Sequence, residues 1–227
     1  GKVLAELGGR PVLAWVVQAA DAAPGIDRAV VATSDRPGDD PVADWCAANG
    51  IPCHRGPEDD VLARFVLAAK AEAADLIMRL TADCPMLDPQ VCGQVVTLLK
   101  RSGADYACNF DPRSWPDGLD CEIFTAALLQ EAADNTCQPF EREHVTPYMR
   151  ANRHRIHVAQ ATCPIPGVAD EAMKAMRQAV DDMDAALKSD DLLAWAQSDD
   201  HFHRLLMENC PNRRLRALVS QFLAQSH

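Results

Sequence analysis

The amino-acid sequence predicts an α/β protein, with a mainly parallel three-layer sheet followed by an all-α helical segment. Three observations support this prediction. Short runs rich in β-branched residues alternate with longer amphipathic runs as far as about residue 166. After that point the strand-like runs stop, and apolar residues recur at three- and four-residue steps. Pro164–Gly167 separates the two patterns, so we predict one domain at residues 1–166 and a helical segment at 167–227.

Each element of the first region is predicted from its local pattern. Apolar positions at helical spacing predict helices over 11–23, 40–49, 61–73 and 89–101. Runs of β-branched and other apolar residues predict strands over 29–33, 51–54, 76–80, 105–109 and 119–124. Gly50 and Gly103 follow two of the helices, where glycine commonly ends a helix. The alternation of strand and helix predicts a sheet covered by helices on both faces.

The second region contains three apolar stripes at helical spacing. Met173, Met176, Val180, Met183 and Leu187 predict the first helix. Ser189 is the predicted N-cap of the second helix, which continues to about residue 209. A third stripe is predicted over 215–223 after a Cys-Pro-Asn break.

Composition narrows the possible partners and compartments. The 227 residues carry a net charge of -11, which argues against a general nucleic-acid or membrane-surface binder. Nine cysteines are scattered without the CxxC spacing of zinc sites, which favours reduced thiols. No run approaches the roughly 18 apolar residues of a membrane span. We therefore expect a cytoplasmic protein without a membrane or nucleic-acid partner.

The segment from Arg79 to Pro89 is the most informative motif in the chain. The apolar run 76–78 leads to Asp83, and a proline turn follows. In an open α/β sheet this pattern places a carboxylate at the carboxyl end of a strand, where ligands bind. Carboxylates there commonly hold a divalent cation and, through it, a phosphate. An ordinary Asp-Cys-Pro turn after a strand is the alternative.

Several separated blocks then carry a resemblance to a known family. They occur in order at 1–4, 8–11, 32–35, 56–65, 79–89, 116–122 and 141–147. Over about residues 1–163, the chain resembles the cytidylyltransferase family of spore-coat-polysaccharide and acylneuraminate type. The resemblance implies a nucleotide-diphospho-sugar-transferase fold and transfer of a cytidylyl group from CTP to a sugar, with release of pyrophosphate. It also implies a Mg²⁺ cofactor and suggests a homodimer.

Site residues follow from the same resemblance, position by position. Lys2 matches the lysine that ends the family's phosphate-binding signature, and Asp83 matches its magnesium ligand, so both are the expected catalytic and nucleotide-binding residues. The other residues in nucleotide-binding blocks are Ser34, Asp35, Asp60, Arg64, Arg79 and Thr81. The expected sugar-binding residues are Asp117, Asp120, Glu122, Arg142 and His144.

Simpler explanations exist for four of these residues. Lys2 could be a solvated terminal lysine, and Asp35 could cap a turn. Arg64 could form a surface ion pair with the acidic residues near it. His144 could be an imidazole on a helix surface.

The chain also departs from the family pattern at both ends of the resemblance. Family members begin with a strand and an arginine-rich loop ending in Pro-Gly-Lys, and this sequence starts at the last two residues of that loop. The family's second acidic metal ligand lies in an Asp-Thr-Pro-Glu-Asp-like segment, which does not occur after Cys163. We therefore expect an N-terminally truncated domain that keeps the family fold, with activity impaired by the loss of preorganised charge.

The C-terminal segment resembles part of the FCD effector-binding domain of GntR-type transcription regulators. The resemblance is carried by Asp199–Leu206 and Asn209–Asn212. Asp199 and His203 lie four residues apart on a helix and could share a metal ion, although two ligands seldom make a tight site. The alternative function is thus a ligand- or metal-sensing regulator fragment without its DNA-binding domain. Two family fragments in one chain would make it a chimera.

Overall fold

The computed structural model describes residues 2–164, 168–189 and 191–209. The strands in these ranges are β1 (Glu6–Leu7), β2 (Arg10–Pro11), β3 (Val31–Ser34), β4 (Cys53–Gly56), β5 (Leu76–Arg79), β6 (Tyr106–Cys108), β7 (Glu122–Thr125) and β8 (Val158–Gln160). The helices are α1 (Val12–Asp21), α2 (Asp40–Ala48), α3 (Val61–Ala71), α4 (Pro89–Ser102), α5 (Ala126–Asn135), α6 (Pro139–His144), α7 (Pro147–Ala151), α8 (Val168–Lys188) and α9 (Leu192–Asn209). The third apolar stripe, over 215–223, lies outside the described residues.

Side chains that bind backbone groups move some strand boundaries away from the predicted ones. The strand predicted over 119–124 begins at Glu122, because the side-chain amide of Asn109 forms hydrogen bonds with the backbone groups just before it. Asn109 donates to the Leu119 carbonyl at 2.8 Å and accepts from the Cys121 N–H at 2.9 Å. β3 likewise begins at Val31 rather than at residue 29. Periodicity alone extends these strands over residues whose hydrogen bonds go to side chains.

Helices on both faces of the larger sheet confirm the three-layer α/β prediction. The sheet has the order β5-β7-β6-β8, in which β6 and β8 are parallel and β7 runs antiparallel to both of its neighbours. Ile123 packs in the core formed with α1 and α4, whereas Phe124 packs with α3, α5 and α7. Successive residues of a strand point to opposite faces, so β7 contributes to both cores.

An apolar cleft of about 710 Å³ separates this sheet from the parallel pair β3–β4. Val31 of β3 and Ile77 of β5 line it, together with Leu13 of α1 and Phe65 of α3. Neither β3 nor β5 pairs with another described strand on the side that faces the cleft. One end of the cleft reaches Thr81, next to the loop that holds Asp83.

The helices α8 and α9 form a helical hairpin that packs mainly on itself. Ala179 and Ala186 are buried. The predicted N-cap of α9 was wrong: Asp191 is the cap, and its carboxylate accepts from the Ala194 N–H at 2.9 Å. The Ser189 hydroxyl instead donates back to α8. Among the described helices, none is both long enough and apolar enough to cross a bilayer.

Candidate active site

The structure brings Lys2 and Asp83 into contact although they are far apart in the sequence. The Lys2 Nζ donates to Asp83 Oδ2 at 2.6 Å. Both side chains are accessible, with 78% and 42% of their surface exposed. The hydrogen bond from Lys2 lowers the pKa of Asp83, and the same hydrogen bond raises the pKa of Lys2. Both groups are therefore charged at neutral pH and open to a ligand.

Thr81 and Cys84 flank this carboxylate in the loop after β5. The Thr81 hydroxyl and the Cys84 thiol lie 3.0 Å apart. Burial raises the pKa of Cys84, so the thiol stays protonated near neutral pH. Cys84 therefore contributes a neutral group beside the Asp83 carboxylate.

A polar pocket of about 430 Å³ opens next to this loop, and we call it the acceptor pocket. Thr81 and Cys84 form part of its wall. Of the predicted sugar-binding residues, Asp117, Asp120, Glu122 and His144 line it. Arg79, predicted on the nucleotide side, lines it as well. The other charged groups in its described lining are Arg113 and Arg150, which sequence reasoning missed.

Glu122 joins the pocket to the protein core. Its carboxylate is 1% exposed, and it accepts from Arg79 Nη1 at 2.7 Å and from the Tyr106 hydroxyl at 2.6 Å. Burial and the adjacent carboxylate raise the pKa of Tyr106. The Arg79 charge is thus compensated within the protein by a buried carboxylate.

Arg113 compensates the two remaining acids of the pocket. Its guanidinium binds both oxygens of Asp120, at 3.0 and 2.9 Å, and reaches Asp117 at 3.1 Å. The hydrogen bonds that Arg113 donates to Asp120 raise the pKa of Arg113. The i,i+4 spacing of Arg113 and Asp117 is the sequence signal that could have identified this arginine.

Arg142 is not among the described residues that line the acceptor pocket. Its Nε donates to Asp60 Oδ2 at 2.6 Å, and its Nη1 donates to the Thr136 carbonyl at 3.0 Å. Asp60 also caps α3 by accepting from the Ala63 N–H at 2.9 Å. This ion pair connects α6 to the start of α3.

Arg64 and Ser34 are also engaged with the protein itself. Arg64 donates to the carbonyls of Pro57 and Glu58, at 3.1 and 3.2 Å, rather than to an acidic side chain. Ser34 is buried, and its hydroxyl donates to Asp39 at 2.6 Å. These bonds shape the loops after β3 and β4.

Asp35 and His144 remain exposed at the surface of the α/β part. Asp35 follows β3, and its backbone N–H donates to the Gly56 carbonyl at 2.8 Å. The His144 ring lies edge-on to Phe140, with 4.5 Å between the ring centroids. Both side chains are free to contact a ligand on geometric grounds.

The metal pair predicted in the second region is described only in part. Asp199 lies on α9, whereas the side chain of His203 lies outside the described residues. Across the part of the chain that the structure describes, no three side chains of metal-binding type come together.

Comparison with known proteins adds a family match. A sequence profile described as "Cytidylyltransferase" matches residues 1–202. The match continues through α8 and into α9, so the comparisons do not support an FCD domain in this segment. They do not support the expected truncation either.

Two curated relatives each match about two thirds of the chain. The uncharacterized protein MJ1063 of Methanocaldococcus jannaschii is 33% identical over 66% of this chain and 61% of its own length. The spore coat polysaccharide biosynthesis protein SpsF of Bacillus subtilis is 34% identical over 66% of this chain and 63% of its own length. The chain thus spans less than two thirds of both relatives.

Solved structures share the fold. A cytidylyltransferase from Leptospira borgpetersenii superposes with a TM-score of 0.69 and 29% identity, covering 73% of this chain and 71% of that one. A CMP:2-keto-3-deoxy-manno-octonic acid synthetase complexed with CTP gives a TM-score of 0.56 at 16% identity, covering 74% and 85%. At 16% identity, the similarity to this second structure is evidence for the fold only.

Proposed function

The chain belongs to the cytidylyltransferase family, and from this premise we propose that residues 1–166 transfer a cytidylyl group from CTP to a sugar. The contact between Lys2 and Asp83 carries the proposal. It joins a cation and a carboxylate at the edge of the sheet where ligands of α/β proteins bind. In the family resemblance these are the phosphate-binding lysine and the metal ligand. Their exposure leaves both groups available to the triphosphate of CTP.

A divalent cation fits the residues present. Mg²⁺ is usually held by one or two carboxylates together with substrate phosphates, and it keeps several waters. Asp83 supplies one such carboxylate, exposed and ionised near neutral pH. Bound there, the cation would neutralise charge on the phosphates.

The chain's own residues would act by binding and neutralising charge. In the transfer, a sugar hydroxyl gives up its proton to solvent as its oxygen forms a bond to the α-phosphorus. The bond between the α-phosphorus and the oxygen that bridges it to the β-phosphate breaks. Pyrophosphate leaves with that bonding pair and gains negative charge. The Lys2 ammonium would stabilise this charge once a ligand displaces it from Asp83.

The acceptor pocket would hold the sugar. It begins at Thr81 and Cys84 on either side of Asp83, so a sugar in it would lie next to the nucleotide phosphates. The Asp120 carboxylate and the His144 imidazole line the pocket and could form hydrogen bonds with hydroxyl groups of the sugar. A role in making precursors for polysaccharide is supported by the similarity to SpsF.

The experiment measures pyrophosphate release by the full chain with CTP, MgCl₂ and candidate sugars, alongside CTP binding by thermal shift. Asp83→Asn should lower the transfer rate about 100-fold or more, because it removes a preorganised charge from the reaction centre. Lys2→Gln should weaken CTP binding. No CTP-dependent stabilisation of the wild-type chain would reject the proposal.

Matched controls separate this site from general charge effects. Asp44→Asn removes an exposed carboxylate on α2, and Lys70→Gln removes an exposed cation on α3. Both variants should keep wild-type CTP binding and transfer. An equal loss in a control and in its partner variant would show that overall charge, not this site, governs binding.

A further inference from the structure

We propose that Val145 is a positioning residue, whose strained turn fixes His144 and Thr146 in the wall of the acceptor pocket and so controls how the pocket holds a sugar. The sugar is part of the proposed function, on which the inference rests. The placement of the two side chains can nevertheless be tested without the reaction. The family resemblance assigned no role to Val145.

The backbone at Val145 has a conformation that L-residues rarely adopt. Its φ is +70° and its ψ is -54°, and the Thr146 N–H donates to the His144 carbonyl at 2.8 Å. This combination is the rare, strained form of the γ-turn. Positive φ is least favourable for β-branched residues, and glycine is the usual residue there. Among the described residues, Val145 is the one β-branched residue with a positive φ.

Burial of the valine side chain holds this strained turn in place. The side chain is 0% exposed and belongs to the core that contains Phe124, Leu128 and Met149. A strained backbone persists only where the surrounding structure determines it strongly. The apolar contacts of Val145 therefore offset the cost of its backbone conformation.

The turn lies where two helices meet at the wall of the acceptor pocket. Helix α6 ends at His144 and α7 begins at Pro147, so the chain changes direction within two residues. His144 and Thr146 are the neighbours of Val145 on either side, and both line the pocket. The φ and ψ of the central residue determine how its two neighbours are oriented to each other. Relaxation of Val145 to a negative φ would therefore move both side chains in the pocket.

Two substitutions at Val145 separate backbone strain from loss of packing. Val145→Ala removes packing and keeps the penalty for positive φ, so the turn is expected to relax. Val145→Gly removes still more packing but accepts a positive φ at no steric cost. We expect Val145→Gly to unfold at a higher urea concentration than Val145→Ala. We also expect its His144 imidazole signal in NMR spectra, assigned by its loss in His144→Gln, to lie closer to that of wild type.

Kinetics of the full chain test the consequence for the sugar. Pyrophosphate release is measured with CTP, MgCl₂ and a panel of 3-deoxy-manno-octulosonate, N-acetylneuraminate, glucuronate and galactose, and the variants are compared on the sugar that wild type uses best. Val145→Ala should lower kcat/KM for that sugar about 10- to 100-fold, because the reacting groups are displaced, and should leave the KM for CTP within about twofold of wild type. Val145→Gly should recover most of this loss.

Leu129 provides the matched control in the same core. It lies on α5 and outside the described lining of the acceptor pocket. In a helix glycine is less favourable than alanine, so Leu129→Gly should be less stable than Leu129→Ala, the reverse of the order at Val145. Both Leu129 variants should keep the wild-type kcat/KM for the sugar and the His144 signal. The inference is overturned if Val145→Ala is as stable as Val145→Gly, or if Leu129→Ala lowers kcat/KM as much as Val145→Ala does.

The two readouts separate this inference from the proposed function. If the urea midpoints and the His144 signals follow the expected order while no sugar of the panel supports pyrophosphate release, Val145 positions the pocket and the proposed reaction fails. If transfer proceeds with wild-type kcat/KM in both Val145 variants, the reaction stands and the role of Val145 fails.

Discussion

The α/β part of the chain and the helical hairpin α8–α9 are stabilised in different ways. In the α/β part, residues far apart in sequence meet in two cores, and the buried carboxylate of Glu122 has two hydrogen-bond partners. The hairpin joins helices that follow each other in sequence, and it leaves Leu192 and Leu193 about 70% exposed. The candidate site therefore depends on contacts between residues that are far apart in sequence, whereas the hairpin depends on contacts between two consecutive helices.

Removing the Glu122 carboxylate should have the largest effect on stability. Glu122→Leu leaves the Tyr106 hydroxyl buried without its acceptor and Arg79 without its counter-charge. We expect a loss of about 3 kcal/mol in the free energy of unfolding, measured by urea denaturation. The double variant Arg79→Met with Glu122→Leu should recover part of it, because no charge is then left unpaired. An unchanged unfolding midpoint in Glu122→Leu would show that the α/β part does not depend on this network.

Core packing in the α/β part should give the next largest effect. Leu129 on α5 is 1% exposed and belongs to the core that includes Phe124 and Met149. Leu129→Ala should cost about 2–3 kcal/mol in the free energy of unfolding, from lost burial and the cavity left behind. Urea denaturation followed by far-UV circular dichroism measures it. A cost below 1 kcal/mol would mean that this core relaxes around the gap.

Asp39 should make the α/β part sensitive to acid. Hydrogen bonds, first from Ser34 and also from Thr33, lower its pKa below the ordinary 3.8. Its stabilising contribution is therefore complete above that pH and is lost as the pH falls through the lower, folded-state pKa. Asp39→Asn should be less stable than wild type at pH 7, by about 1 kcal/mol. The gap should narrow toward pH 3.

Urea midpoints at pH 7, 5 and 3 test this expectation. Asp44→Asn removes an exposed acid from the helix that follows Asp39 and serves as the control. It should track wild type at all three pH values. A gap between Asp39→Asn and wild type that is the same at pH 7 and pH 3 would contradict the assignment.

Local pattern predicted most of the elements, because periodicity and turn residues act over short distances. The helix predicted over 89–101 is observed as Pro89–Ser102, with Asp88 as its N-cap and Gly103 in the left-handed conformation after it. Ser189 failed as a cap because two acidic residues follow it, and Asp191 stands closer to the helix start. Which of two neighbouring capping residues is used depends on the path of the backbone, and the local sequence does not specify that path.

The candidate site was predictable only where a motif names its residues. Lys2 and Asp83 were each singled out, but nothing in the sequence says that their side chains meet at 2.6 Å. Arg142 was expected at the sugar, and the sequence did not predict its pairing with Asp60, 82 positions away. Arg150 was missed because no motif marks it and only the fold places it in the lining of the acceptor pocket. That property depends on every neighbour in the fold and leaves no mark in the local sequence.

The hairpin should show the smallest effect and offers the sharpest test of the comparison with the α/β part. Leu193→Ala makes the same chemical change as Leu129→Ala at a side chain that is 71% exposed. Little apolar surface returns to water, and alanine is at least as good a helix former as leucine, so we expect a change within about 0.5 kcal/mol. If Leu193→Ala instead costs as much as Leu129→Ala, a surface must cover α9 in solution. The comparison between a self-contained hairpin and a long-range core would then fail, and repeating the urea denaturation at several protein concentrations would tell whether a second copy supplies that surface.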